Sequence, residues 1–177
     1  DVIDLCKEPD GYLMAYPKRA IFDFENGAYV RSWVSHGLIE AGYAGNPKAF
    51  PLLRGFYDWF EQSPYLPEML FRPGPGVQGA IPLTRTYFSP VGKPQEIMVM
   101  QRYFQQNYWM EWLAERNTDA IWKYPYDRPH NYLVTAIEPY MDLYRATGDE
   151  KYLEAVKGFW DLFHDNWEHI GGSLAIN

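Results

Sequence analysis

The sequence predicts an all-α chain assembled from antiparallel helical hairpins, stacked as a solenoid or closed into an (α/α) toroid. Three observations lead there. Apolar residues recur at three- and four-residue steps over long stretches, the period of one helix face. The turns between those stretches carry helix-stop and helix-start residues side by side, as in Gly45-Asn46 and Gly148-Asp149. Finally, residues 45–60 (GNPKAFPLLRGFYDWF) align without gaps on residues 148–163 (GDEKYLEAVKGFWDLF). Six positions are identical, among them Gly55/Gly158, Asp58/Asp161 and Phe60/Phe163. Such a repeat marks helical hairpins that cannot bury their apolar faces alone and must stack on one another.

Taken in order, residues 1–27 read as irregular, with Asp10-Gly11 a turn signal and Pro17 and Gly27 further punctuation. Residues 28–44 turn helical. Gly45 then suits a helix C-terminus, Asn46 an N-cap and Pro47 a first helical position. A second helix is expected to run to about Phe60, closing a hairpin with a very short turn. Residues 63–94 hold seven of the 14 prolines and four glycines, so no continuous helix fits. This stretch is expected to be a loop insertion, either functional or covering one end of the fold. Residues 95–116 return to helix, with Ile97, Phe104, Tyr108 and Trp112 near heptad spacing. Asp127 and Pro129 offer the start of a helix through Thr147, which Pro139 should kink.

Composition bounds the function. At 177 residues the chain is expected to form about one domain, here spanning 1–177. A net charge of −7 without a Lys/Arg cluster excludes a typical nucleic-acid binder. No run of about 20 apolar residues exists to cross a membrane. Asp1-Val2-Ile3-Asp4 shows neither a basic nor an apolar leader region, and no initiator Met, so a processed product or fragment is expected. The single cysteine, Cys6, excludes an intrachain disulfide and leaves the compartment open: secreted, periplasmic or cytoplasmic. The 15 Tyr and 7 Trp outnumber the 10 Phe. Tyr and Trp offer flat apolar faces with a polar handle. They fit the C–H side of sugar rings, or they pack between helices.

The helix at 28–44 carries the most information. Successive residues turn by about 100°. Val30, Val34, Gly37 and Ala41 cluster as an expected packing face. Tyr29, His36, Glu40 and Tyr43 cluster on another, with Trp33 between the groups. His36 and Glu40 are four residues apart and close enough to interact. The expected role of this face is recognition of sugar hydroxyls, with Glu40 accepting hydrogen bonds; the alternative is a solvated His–Glu pair.

These residues also resemble a family. Asp10-Gly11-Tyr12-Leu13, followed by the helix carrying His36-Gly37-Leu38-Ile39-Glu40-Ala41-Gly42, resembles the N-terminal part of glycoside hydrolase family 127, the β-L-arabinofuranosidase-like enzymes. Leu143-Tyr144-Arg145-Ala146-Thr147-Gly148-Asp149 and Ile170-Gly171-Gly172-Ser173 are similar to later segments of that family, and His130 lies near its Gly-His-Ala-Val-Arg histidine. The resemblance implies part of an (α/α)6 toroid acting on arabinofuranosyl or related glycans. It adds His130 to Tyr29, Trp33, His36, Glu40 and Tyr43 as expected substrate-binding residues. It also implies a zinc-held cysteine nucleophile and a glutamate acid/base located after the Gly-Gly segment. No metal or cofactor is therefore expected within this chain, no activity is expected of it alone, and the remainder of a parent protein is an expected partner.

Carboxyl pairs flank the scissile bond in most glycosidases. Glu40, Glu111, Glu115 and Glu138 are the helical candidates, with the last three expected on solvated faces. His164 and His169 are expected at the surface, and Gly171-Gly172 is either a helix stop or a phosphate-binding turn. Two other functions stay open: a non-catalytic helical-repeat scaffold that binds glycan or protein, and a sugar epimerase of the same toroid class.

Overall fold

The computed structural model describes residues 2–23, 25–67, 80–105, 109–122, 130–168 and 170–172. These are mostly helical, and no strand occurs among the described residues. The all-α expectation holds. The chain divides into two compact units, Asp1–Tyr103 and Phe104–Asn177.

In the first unit, α1 (Val2–Cys6), α2 (Ala20–Asp23), α3 (Glu25–Tyr43) and α4 (Ala49–Gln62) precede α5 (Ala80–Tyr87) and the start of α6 (Pro94–Gln105). In the second, α7 (Trp109–Ala114) and α8 (Thr118–Trp122) precede α9 (His130–Thr147) and α10 (Glu150–Leu162), which runs into a π-helical turn, Phe163–Trp167.

Both expected hairpins form, α3 against α4 and α9 against α10. Their turns share one chemistry. Gly45 and Gly148 sit at φ +92° and +72°, the left-handed conformation that ends a helix without a Cβ clash. Asn46 Oδ1 accepts the Lys48 N–H at 3.0 Å, and Asp149 Oδ1 accepts the Lys151 N–H at 3.2 Å. The two turns thus share a side-chain-to-backbone hydrogen bond, but only Asp149 is an N-cap; Lys48 takes that position for α4, without a side-chain cap bond, so the expected Asn46 cap does not form. The central glycine of the repeat is required by close approach only in the second copy. A Cβ on Gly158 would lie 1.7 Å from the Leu113 carbonyl oxygen, so α10 meets α7 backbone to backbone. In the first copy it is the opposite partner that must lack a side chain. A Cβ on Gly11, itself at φ +98°, would lie 2.4 Å from the Gly55 carbonyl oxygen. The Asp10-Gly11-Tyr12-Leu13 turn is thus a structural seat on α4, closed by Asp10 Oδ1 accepting the Tyr12 N–H at 3.1 Å.

The structure departs from the sequence reading in three places. Residues 1–27 are not wholly irregular, since they contain α1 and α2; helices of one turn are too short to display a period. The hairpin's second helix begins at Ala49 rather than Pro47, because residues 46–49 form a turn in which the Ala49 N–H donates to the Asn46 carbonyl at 3.2 Å. The Pro-rich stretch includes the eight-residue helix α5, which carries Pro82. Within the expected helix over 95–116 the described residues form α6 and α7, and residues 106–108 lie outside them. Helix α9 continues through Pro139. Its expected caps, Asp127 and Pro129, lie outside the described residues.

Many of the aromatic residues are core. Phe22 stacks on Phe60 with centroids 4.8 Å apart, Tyr12 tilts against Trp59 at 4.7 Å, and Phe56, Tyr57, Tyr140 and Tyr152 are buried. For these residues packing between helices, not sugar contact, is the role.

Candidate functional site

Helix α3 has three distinct sides, and its buried side fixes the other two. Arg31 is 0% exposed; its Nη1 donates to the Ile21 carbonyl at 2.8 Å, and the guanidinium lies 5.0 Å above the Phe60 ring. The cation thus has a hydrogen bond and an aromatic face in place of water. One turn on, Tyr57 Oη donates to the buried Ser35 Oγ at 3.0 Å. Burial pushes the Tyr57 phenol up to about 12, so it remains a donor at any physiological pH. Leu38 and Ile39 complete the buried side. The expected packing face of Val30, Val34, Gly37 and Ala41 is therefore not the buried one: none of the four is buried, and Gly37 is exposed.

That second side instead borders a cavity of about 580 Å³. Val34, Gly37 and Ala41 line it together with Trp33, Leu52 of α4 and Ile3 of α1. Lys48 stands at its edge, paired with Asp4 at 2.9 Å.

The third side carries the expected site. Tyr29, Trp33, His36, Glu40 and Tyr43 follow steps of four, three, four and three residues, which keeps all five on one stripe. Trp33 is 69% exposed and Tyr43 is 61% exposed; Tyr29 and Glu40 are also exposed, while His36 is half-buried. The Trp33 indole stands edge-on to the His36 ring, with centroids 6.3 Å apart, and Tyr43 meets Phe50 of α4 edge-on at 5.3 Å. The stripe presents the flat Trp33 ring and the Glu40 carboxylate beside the His36 imidazole, whose Nε2 is buried. That combination can cover one face of a polyhydroxy ring and hydrogen-bond to its edge. His130 opens α9 in the second unit. Its side chain lies outside the described residues.

The other candidates separate by exposure. Glu111 and Glu115 are exposed, as expected of a solvated face, whereas Glu138 is half-buried. His164 is exposed, hydrogen-bonded to Glu168 and 4.5 Å from the Trp160 ring. His169 is outside the described residues. Gly171 and Gly172 are exposed, with Gly172 at φ +78°.

The carboxyl pair that sequence reasoning missed is Glu61 and Glu96. Glu96 is 0% exposed, and both residues pair with Arg54, which also reaches Asp58 at 2.9 Å and the Val91 carbonyl at 3.2 Å. Glu96 Oε2 in addition accepts the Lys93 N–H at 2.6 Å, half of a capping box at the start of α6, where Pro94 takes the first helical position. Burial, then the hydrogen bond and charge of Glu96, push the Glu61 carboxyl up to about 8. One proton shared by two carboxyl groups is the chemistry of an acid/base pair. Glu96 is fully buried, however, and the Glu61 side chain is only 9% exposed, whereas a general acid must reach its substrate. The cluster ties α4 to α6. The i, i+4, i+7 run Arg54, Asp58, Glu61 was the available signal; its partner Glu96 is 35 residues further along the chain.

Cys6 is exposed, and no group of three or more His, Cys, Asp or Glu converges among the described residues. No described helix is long and apolar enough to cross a membrane. Comparison with family models, with curated proteins and with solved structures gives no match.

Proposed function

We propose that the chain is the sugar-binding part of a carbohydrate-active (α/α) toroid, a glycoside hydrolase acting on arabinofuranosyl or related glycans. One observation carries the reading. Five residues of mixed aromatic and polar character share the open side of α3, while the opposite side is anchored by buried Arg31 and Ser35. A rigid helix holds a recognition surface more accurately than a loop. Two further features support it: the repeated hairpin that a toroid of paired helices needs, and the resemblance of the α3 sequence to the β-L-arabinofuranosidase-like enzymes.

In this reading Trp33 covers the apolar face of a sugar ring, and His36 and Glu40 hydrogen-bond its hydroxyls. Tyr29 and Tyr43 extend the surface along the helix by one turn each way. These are binding roles. No catalytic step is assigned to them, and none is routed through a metal.

The test is calorimetric titration of the chain with an arabinofuranosyl oligosaccharide, for the native protein and for Trp33→Ala, His36→Ala and Glu40→Gln. Trp33→Ala should weaken binding about tenfold or more, the scale of one lost aromatic platform. Glu40→Gln keeps the shape and removes the charged acceptor, and should weaken it several-fold. Thermal midpoints should move by less than about 3 °C, because the substituted side chains are not part of the core. Unchanged affinity in all three variants would defeat the reading.

A further inference from the structure

The second side of α3 extends this reading. The cavity bounded by Trp33, Val34, Gly37, Leu38, Leu52 and Ile3 has a volume of about 580 Å³, within the range of small-molecule sites. Three features define what would fit. Its lining is almost wholly apolar, so sugar hydroxyls would lose water there and gain few partners. The two polar residues that line it are engaged: Lys48 Nζ lies 2.9 Å from Asp4 Oδ2, and Asn46 Oδ1 accepts the Lys48 N–H. A closed ion pair offers little to a charged ligand. Finally, a Cβ built on Gly37 has no atom within 4 Å, so the helix leaves open space where any other residue would project. The space suits a neutral, flat, apolar group.

Trp33 links this space to the recognition stripe. It stands edge-on to the His36 ring and is also one of the residues that line the cavity. A ligand that crosses Trp33 would have a polar ring on the stripe and an apolar group in the cavity. We infer that the cavity between α1, α3 and α4 is the site for a neutral aryl or alkyl aglycone, attached to the sugar held by Trp33, His36 and Glu40. The inference rests on the proposed sugar-binding role of α3 and adds to it a substrate class: glycosides with an apolar leaving group rather than sugars linked only to sugars.

The experiment compares three ligands on the full chain: methyl β-L-arabinofuranoside, phenyl β-L-arabinofuranoside and phenol. The phenyl glycoside should bind about tenfold or more tightly than the methyl glycoside, as expected when an apolar ring leaves water. Gly37→Leu fills the cavity from its own wall, and the phenyl-to-methyl ratio should fall to about one. Ala41→Leu fills it from the next turn and gives the same reading should the first variant not fold. Glu40→Gln should weaken both glycosides by the same factor and leave the ratio intact. Equal binding of the two glycosides to the native chain would overturn the inference while leaving the sugar reading in place. So would a preference that survives both cavity-filling variants. Phenol binding that Gly37→Leu abolishes, with no glycoside binding better than phenol, would support an apolar site here and defeat the sugar reading of α3 instead.

Discussion

Replacing Glu61 by Gln gives the sharpest test of the packing between α4 and α6. Glu61 is nearly buried beside Glu96 and Arg54. Its carboxyl stands at about 8, against 4.5 in an unperturbed chain, chiefly through burial and then through Glu96. The sign follows from proton linkage. Between those two values the folded chain binds more protons at this site than the unfolded one. The site's contribution to stability is complete below pH 4.5 and is lost as the pH rises through 8. One pKa unit corresponds to about 1.36 kcal/mol, which sets a ceiling on the order of 5 kcal/mol. Glu61 is partly wetted, and screening reduces the effect to roughly 2 kcal/mol. Gln mimics the protonated acid: its N–H donates to Glu96, and its carbonyl accepts from Arg54. Urea unfolding should therefore show the variant level with the native protein at pH 5 and about 2 kcal/mol more stable at pH 9. A stability difference that is the same at both pH values, or a variant less stable at pH 9, would refute the argument.

The remaining predictions concern the helices themselves. Arg54→Met leaves Glu96 buried without its cation and should lower stability at neutral pH by about 3–5 kcal/mol in the same unfolding assay. Gly158→Ala sets a methyl group against the Leu113 carbonyl, at 1.7 Å before any shift, and should cost at least about 2 kcal/mol. Gly37→Ala, with open space at the same test, should raise stability by about 0.5–1 kcal/mol. Asp149→Ala removes the cap of α10 and should cost about 1 kcal/mol at pH 7. The Lys151 hydrogen bond holds the Asp149 carboxyl below its usual value, so that difference should shrink as the pH falls through the lowered value.

How much of this was legible in the sequence depended on whether the physics was local. The Gly-Asn and Gly-Asp turns were readable because turn and cap chemistry involves residues two apart; the Asp149 cap forms as spacing required, whereas Asn46 closes a turn ahead of α4 and Lys48 stands at the N-cap. The stripe from Tyr29 to Tyr43 was readable because helical periodicity places it on one side whatever surrounds it. The buried side of α3 was not, since Arg31 and Ser35 break the hydrophobic pattern that identifies a core face. Apolar Val34 and Ala41 looked like core and line an open cavity instead. Glu61 and Glu96 were invisible as a pair because nothing local joins α4 to α6. Among the aromatics, composition could not separate Tyr57, which is core, from Trp33, which is exposed.

The central claim is that the open stripe of α3 binds a sugar. Protein-observed NMR of the 15N-labelled chain, titrated with methyl β-L-arabinofuranoside, tests it without requiring catalysis. The account predicts saturable shifts of the Trp33 indole resonance and of the backbone amides of residues 29–43. Shifts confined to another surface, such as the exposed Trp160 and His164, would contradict it, and so would a spectrum unchanged at millimolar sugar.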